Sequence, residues 1–325
     1  MDRTVLNGHA FSANRELRAG VVGAGVFGRH HASKYARLSG VKLVGFADPE
    51  PAARHGAETH FHVPATGDWR NLLGRVDVVS ICSPARTHAL LVRAFLEEGA
   101  HVLVEKPIAT DVEEAEDLIA LAEANDRVLT VGHQERFVFA RTGLLDYADA
   151  PIALDCVRTG PWTGRGTDVS VVLDLMIHDL DLTHRLVPGR IANTSARGRS
   201  VRGVMHDEVA ATLTFDNGTE AKLLASRSSE LRRRSLRAVY DDGEIEIDFL
   251  TRQVRNTTKR PLRALDVQDP LAESVADFVA AVRGGRSAMV RPEEACQALE
   301  TALMIEEAAE PAHQAHTLDE MAAYA

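Results

Sequence analysis

The stretch LRAGVVGAGVFG, residues 17–28, decides the reading of the fold. Leu17 to Val22 is a short apolar run of strand type, Gly23, Gly25 and Gly28 follow in GxGxxG spacing, and Arg29 to Leu38 is compatible with a helix. In such a strand–turn–helix unit the glycines allow a tight turn, close approach of backbone to a pyrophosphate, and close packing of helix on strand, with the helix N-terminus facing the phosphates. On its own the spacing also fits a turn that merely packs a helix on a strand. Its surroundings favour the nucleotide reading. The next apolar run, Val41 to Ala47, ends at Asp48, 20 residues after Gly28, where a carboxylate accepts hydrogen bonds from ribose hydroxyls. Asp48 would repel a 2′-phosphate and no Arg or Lys directly follows it, so NAD is expected rather than NADP; Arg54, several residues further on, is read as a solvated helix charge.

Working outward, Val76 to Cys82, His101 to Val104 and Val128 to Gly132 are short runs rich in Val, Leu and Ile, separated by helical spacing over Thr87 to Glu98 and Thr110 to Asn125. That alternation predicts an α/β unit with a doubly wound parallel sheet. Thr110 with Glu113 three residues on reads as a capping box, ahead of an apolar stripe of Leu118, Leu121 and Ala122. The pattern weakens between Gln134 and Pro151 and then changes character. Val209 to Phe215 and Thr219 to Ser226 flank an Asp216-Asn217-Gly218 turn, and Leu236 to Tyr240 and Glu244 to Phe249 flank Asp241-Asp242-Gly243, so both read as hairpins. In the second hairpin Ile245, Ile247 and Phe249 share a face opposite Glu244, Glu246 and Asp248. Helices follow over Pro270 to Arg283 and Pro292 to Ala309, each with Pro near its start. The expected organisation is a tail over 1–16, a dinucleotide-binding domain over 17–140, an α+β domain over 141–310 and a tail over 311–325.

Composition narrows the function classes. Of 325 residues 45% are hydrophobic and 26% charged, values that fit neither a disordered chain nor a membrane bundle. Lys and Arg number 37 against 47 Asp and Glu, a formal charge of −10, so a nucleic-acid partner is not expected and an anionic ligand needs a local basic pocket. Cys82, Cys156 and Cys296 lie far apart without CxxC spacing, which argues against a zinc site or disulfide framework and suits a reducing cytoplasm. No targeting signal and no run of about 18 apolar residues is visible, so no membrane partner is expected.

Two further elements carry chemistry. Glu105-Lys106-Pro107 follows the apolar run His101 to Val104, at the carboxyl end of a parallel strand, where open α/β sheets bind ligands. A lysine there can hold a substrate hydroxyl and stabilise a developing alkoxide; a surface ion pair with Glu105 is the alternative. The segment DVSVVLDLMIHDLDL, residues 168–182, reads as a mostly apolar helix with Asp174 and His178 four apart on one face, and Asp181 extending that face by a turn. The carboxylate then orients the imidazole or shares a ligand with it, and acid/base chemistry is favoured over a metal site, a structural hydrogen bond being the ordinary alternative. His133 is assigned a structural role at the end of its strand.

The Gly23 turn, Asp48, Ser83-Pro84 with His88, Glu105-Lys106-Pro107 and the Asp174/His178 pair together resemble the glucose–fructose oxidoreductase, inositol dehydrogenase and rhizopine catabolism family of NAD(P)-dependent sugar dehydrogenases, over residues 17 to 310. The resemblance implies a Rossmann domain joined to a domain with a large open, mostly antiparallel sheet that commonly mediates homo-oligomers, dimers or tetramers. It further implies that Lys106 bridges substrate and nicotinamide, that His178 removes the hydroxyl proton, and that Asp174 positions that histidine or the substrate. Gly23, Gly25, Val26, Phe27, Gly28 and Asp48 would hold the cofactor, with Cys82, Ser83, Pro84, His88, Glu105 and Gln134 on the nicotinamide side.

Many relatives carry Gly-Gly shortly before the aspartate, where this chain has Ser170, Val171 and Val172. Together with Gly132-His133-Gln134-Glu135-Arg136-Phe137 this resembles instead a subgroup that includes dehydrogenases of nucleotide sugars, implying oxidation of the 3-hydroxyl of a UDP-linked N-acetylated hexosamine. A diphosphate needs cations, and Arg136, Arg158, Arg165, Arg227 and the run Arg232 to Arg234 are candidates, with Trp162 to pack on a ring; a solvated arginine face and a core tryptophan are the ordinary alternatives. A free-sugar or inositol dehydrogenase and a non-catalytic NAD-sensing regulator stand as rival expectations.

Overall fold

The computed structural model describes residues 15–310 apart from 148, 165, 203, 265–268 and 285–287. β1 (Leu17–Val22) leads through the glycine turn into α1 (Val26–Tyr35), followed by β2 (Val41–Ala47), α2 (Pro51–Phe61), β3 (Ala65–Thr66), β4 (Val78–Ile81), α3 (His88–Glu97), β5 (His101–Val104), α4 (Val112–Ala124) and β6 (Leu129–Val131). These strands form one parallel sheet in the order β3-β2-β1-β4-β5-β6, the doubly wound order of a dinucleotide-binding fold. The order reverses between β1 and β4, which places the ends of both strands, and hence Gly23 and Cys82, side by side.

Two local readings shift. Helix α1 begins at Val26, inside the motif, because Gly25 already serves as its N-cap. Helix α4 is capped by Asp111, whose side chain accepts from the Glu114 backbone N–H at 3.1 Å, not by Thr110 with Glu113. With Asp111 as the cap, both Glu113 and Glu114 fall in the first turn, where the helix dipole favours them.

After α5 (Glu135–Arg141) the chain enters the second sheet through β7 (Ala153–Thr159), then α6 (Ile177–Leu186), β8 (Ile191–Arg199), β9 (Glu208–Phe215), β10 (Glu220–Ser226), β11 (Arg233–Tyr240), β12 (Gly243–Asp248) and β13 (Gln253–Asn256). Helices α7 (Pro270–Val282) and α8 (Pro292–Ala308) and the short β14 (Ala309–Glu310) follow. The eight strands run β13-β12-β11-β7-β10-β9-β8-β14, antiparallel except for β7 beside β10 and β8 beside β14. Both predicted hairpins are present, and Ile245 and Ile247 are fully buried while Glu244, Glu246 and Asp248 on the opposite face are not.

Helix α7 returns to the first sheet. Leu271, Val275, Phe278, Val279 and Val282 pack in one cluster with Leu17, Ala19, Val21 and Tyr35, so the C-terminal segment completes the core of the nucleotide-binding unit. Full burial of Phe278 is worth about 1.5–3 kcal/mol by itself. The segment 168–182, expected as a single helix, is broken: Val172–Met176 forms a π-helical turn that leads into α6. Among the described residues no helix is long and apolar enough to cross a membrane.

Candidate active site

The glycine turn is built for close approach. Gly23 has φ of +93°, and a Cβ there would lie 2.6 Å from the Cys82 carbonyl oxygen; a Cβ on Gly28 would lie 1.7 Å from the Gly23 oxygen. A Cβ on Gly25 would meet nothing within 4 Å. Gly25 therefore opens onto free space at the N-terminus of α1, which carries no side-chain cap and has no acidic residue in its first turn. An uncapped N-terminus beside an open glycine is a cradle that a pyrophosphate fills. Val26 and Phe27 stand exposed at its rim. The Asp48 carboxylate is oriented by the backbone N–H groups of Ala24 (2.6 Å) and Glu50 (2.8 Å). Arg54 is not a solvated helix charge; its guanidinium donates to the carbonyls of Asp48 and Pro49, both at 2.8 Å, and so braces the turn that presents Asp48.

The carboxyl ends of β4, β5 and β6 bring the next group together. Cys82 is half-buried, and burial together with the Glu105 charge pushes its thiol well above the ordinary range, so it stays protonated. Ser83 and Thr87 hydroxyls lie 2.7 Å apart, with Pro84 at the start of a single 3₁₀ turn, Ala85–Thr87. His88 was expected to line the cofactor. It is instead buried at 1% exposure, its Nδ1 2.7 Å from the Pro107 carbonyl and its Nε2 2.9 Å from the Ser83 carbonyl, so it clamps the two loops rather than reaching the cleft. Glu105 accepts from His31 Nε2 at 2.8 Å and from Gln134 Nε2 at 3.1 Å.

Lys106, Asp174 and His178 converge, with an unexpected pairing. The Lys106 ammonium donates to the Asp174 carbonyl at 2.5 Å and to its Oδ1 at 3.0 Å, both side chains being about one-fifth exposed. No hydrogen bond joins Asp174 to His178. The spacing of four that would stack them on an α-helix falls across the π-helical turn, which has more residues per turn and rotates Asp174 toward Lys106. Asp181 does not extend this face either; it turns inward to pair with Arg136. His178 Nδ1 is buried without a hydrogen-bond partner among the described residues, and its ring sits edge-on to His133, centroids 6.1 Å apart. Burial, reinforced by Arg158, Lys106, His133 and Arg234, holds the His178 imidazole well below its usual pKa, so it is neutral at pH 7 and disposed to accept a proton.

The arginines divide into used and available. Arg136 and Arg158 were expected to meet a diphosphate, but both are buried at 2% exposure in closed ionic clusters. Arg136 is held by Asp181, Glu294 and the Met289 carbonyl; Arg158 makes paired bonds to Asp179 (2.8 and 3.0 Å) and to Glu135 (both 2.7 Å). Their charge is spent on neighbouring carboxylates, which the sequence offered at Glu135, Asp179 and Asp181 without indicating the pairing. Arg227 is likewise taken by Asp207 and by the carbonyls of Gly166 and Val169. Arg165 lies outside the described residues. One cavity is lined by Arg158, Trp162, Asp174, Arg227, Arg232 and Arg234, among others. Among the described residues the Arg234 guanidinium has one carboxylate within ion-pair distance, Glu135 at 3.5 Å, and Arg232 has none. Trp162 is stacked by the guanidinium groups of Arg202 and Arg227 at 5.4 and 5.5 Å. No group of three or more His, Cys, Asp or Glu among the described residues is arranged to hold a metal ion.

With this geometry in view, the comparisons are specific. Residues 17–133 match the model of an oxidoreductase family with an NAD-binding Rossmann fold, and residues 143–246 match the GFO/IDH/MocA C-terminal domain. The chain belongs to the GFO/IDH/MocA oxidoreductase family. It is 35% identical over 284 residues to UDP-N-acetylglucosamine 3-dehydrogenase from Acidithiobacillus ferrooxidans, covering 83% of this chain and 90% of that one. A solved structure of that enzyme superposes with a TM-score of 0.84 at 33% identity, covering 91% and 98% of the two chains. Inositol 2-dehydrogenase 4 from Saccharopolyspora erythraea is 33% identical over 57% of this chain and 58% of its own length. Scyllo-inositol dehydrogenase from Lactobacillus casei, solved with NAD(H) and scyllo-inositol, has a TM-score of 0.78 at 20% identity, covers 91% and 97%, and speaks to the fold alone.

As a GFO/IDH/MocA oxidoreductase the protein uses NAD, and the open cradle at Gly25 fits that group. Replacing Gly25 with valine is expected to leave thermal stability unchanged, because nothing lies within 4 Å of the new Cβ, while weakening NAD binding by about tenfold or more. Calorimetric titration with NAD beside a thermal melt checks both halves.

Proposed function

We propose that this protein oxidises a secondary ring hydroxyl of a sugar, the 3-hydroxyl of UDP-N-acetylglucosamine or a similar UDP-hexosamine, to the 3-keto sugar. The observation that carries the reading is the Lys106–Asp174 pair, whose Asp174 also lines the cavity of Trp162, Arg232 and Arg234, with His178 near enough to feel the Lys106 charge. His178 accepts the hydroxyl proton, and Lys106 stabilises the oxygen as negative charge develops on it. Asp174 holds the lysine in place and contacts the sugar. NAD, when bound on the glycine turn, supplies the hydride acceptor. Arg232 and Arg234 take the diphosphate, a part that Arg136 and Arg158 do not play, and Trp162 packs on a ring. Residues 17–140 thus serve the cofactor and 141–310 the substrate. A 3-keto product suits an aminotransferase forming a diamino sugar for lipid A or another surface glycan. Three free cysteines fit a cytoplasmic setting, and the outer face of the second sheet is the surface for a homo-oligomer.

The test is NADH formation with NAD, a carbonyl trap and a panel of UDP-sugars, free sugars and inositols. Turnover with UDP-N-acetylglucosamine is expected. In the double variant Arg232→Ser/Arg234→Ser, KM for the UDP-sugar should rise about 10- to 100-fold, the scale of one or two charge-assisted bonds, with little change in kcat. Turnover with free polyols alone overturns the nucleotide-sugar reading. NAD binding without turnover on any substrate favours the NAD-sensing regulator, a role for which Lys106 and His178 have no evident use.

A further inference from the structure

Glu105 ends a buried polar chain that the proposed chemistry does not use. Tyr35 and Ser80 hydroxyls are 2.8 Å apart, Ser80 Oγ is 2.9 Å from His31 Nδ1, and His31 Nε2 is 2.8 Å from Glu105 Oε1; Tyr35, Ser80 and His31 are all at 0% exposure. Counting protons fixes the direction. An ionised Glu105 only accepts, so His31 Nε2 carries a proton; His31 Nδ1 then accepts from Ser80, and Ser80 accepts from Tyr35. Every proton has an acceptor in this arrangement. Were His31 also protonated at Nδ1, it would donate to Ser80, and of the Ser80 and Tyr35 hydroxyl protons one would be left buried without an acceptor, a costly state. The network therefore ends on its one carboxylate, Glu105, which accepts from His31 Nε2.

Among the described residues no ammonium or guanidinium group is bonded to that carboxylate. Gln134 contributes a neutral amide, and the neighbouring Lys106 ammonium is turned to Asp174. Burial raises the Glu105 pKa, but the hydrogen bond from His31 and the nearby Lys106 charge outweigh it and leave the carboxyl below its usual range. The seat is shaped for the carboxylate: a Cβ on Gly132 would lie 2.7 Å from Oε1 and 3.0 Å from Oε2. Oε2 accepts no hydrogen bond among the described residues, and the side chain is 12% exposed, so the anion retains an open edge. That edge lies at the carboxyl end of β5, between the ends of β4 and β6, where such sheets bind ligands. The far end of the chain, His31 and Tyr35, is on α1, the helix whose N-terminus forms the cradle.

We propose that this fixed anion makes the site discriminate between the two redox states of the nicotinamide, holding the oxidised, cationic ring more tightly than the reduced, neutral one. The inference rests on NAD binding at this turn and adds a residue and a sign to it. Its functional consequence is that reduced cofactor leaves more readily than oxidised cofactor arrives and stays, so that accumulating NADH inhibits weakly.

The test is equilibrium binding of NAD and NADH, measured separately and without sugar. In Glu105→Gln, affinity for NAD should fall about tenfold while affinity for NADH stays within about twofold. Equal weakening of both forms, or no change in either, overturns the proposal; failure of wild type to bind either form would instead remove the cofactor reading beneath it. Wild type serves if Glu105→Gln does not fold: it should hold NAD more tightly than NADH, and NADH bound as tightly as NAD or more tightly counts against the proposal.

Discussion

Replacing His178 with asparagine is expected to lower kcat/KM for the sugar by about 10²- to 10⁴-fold while leaving NAD affinity unchanged, the loss that removal of a general base produces. The expectation rests on the state of the imidazole. Burial is the main cause that drives its pKa down, and the positive charges of Arg158 and Lys106 act in the same direction, so the ring is neutral throughout the physiological range. The sign follows directly. A base with a depressed pKa stays competent as pH falls through about 6.5, the ordinary imidazole value, and loses activity only below its own. Wild-type kcat/KM should therefore hold level through that value and fall at lower pH, an acid limb the asparagine variant lacks. A wild-type limb centred on the ordinary imidazole value, or a variant of near wild-type rate, would show that another group takes the proton. Initial rates across pH 4–9 with both enzymes decide it.

Much of this site was legible because it sits on features with fixed chemistry. The glycines at 23, 25 and 28, the carboxylate at 48 and the lysine at 106 fall at strand ends, and a parallel sheet brings strand ends together whatever surrounds them. The hairpins were legible through alternation and turn residues, as at Ile245 and Ile247. What escaped was pairing across the fold. Arg136 and Arg158 look like free cations in a chain that otherwise carries excess acid, yet Glu135, Asp179, Asp181 and Glu294 reach them from α5, α6 and α8. One-dimensional spacing also assumed an unbroken helix between Asp174 and His178, and nothing in DVSVVLDLMIHDLDL marks the π-helical turn that redirects Asp174. The same limit applies to His31, an apparently ordinary residue of α1 that becomes significant only when Ser80 and Glu105 are placed beside it.

The Arg158 cluster carries the largest stability effect. Its guanidinium, on β7, grips Asp179 of α6 with one edge and Glu135 of α5 with another, joining the second sheet to the helix that follows the last strand of the first. Replacing Arg158 with methionine keeps the side-chain volume but leaves two carboxylates buried without their cation. Breaking such a pair from one side costs about 3–5 kcal/mol, far more than the intact pair contributes over an apolar substitute. For a chain of this size that corresponds to a melting temperature lower by about 5 °C or somewhat more. The pH dependence should change as well. Burial alone raises the Glu135 pKa, but Arg158 and then Arg234 outweigh it and hold the carboxyl below its usual range. That lowered value stabilises the fold above about pH 4.3, the unfolded glutamate pKa, and the contribution is lost as pH falls through the folded value. In Arg158→Met the sign reverses for Glu135, and Asp179, whose pKa burial already raises, loses the cation that opposes that rise, so mild acid should recover part of the lost stability. Thermal melts at pH 5 and pH 8 test this, with a gap between wild type and variant expected to narrow at pH 5. The triple variant Arg158→Met/Glu135→Gln/Asp179→Asn removes the stranded charges and should regain most of the loss; if it does not, the arginine acts through packing and not through its charge.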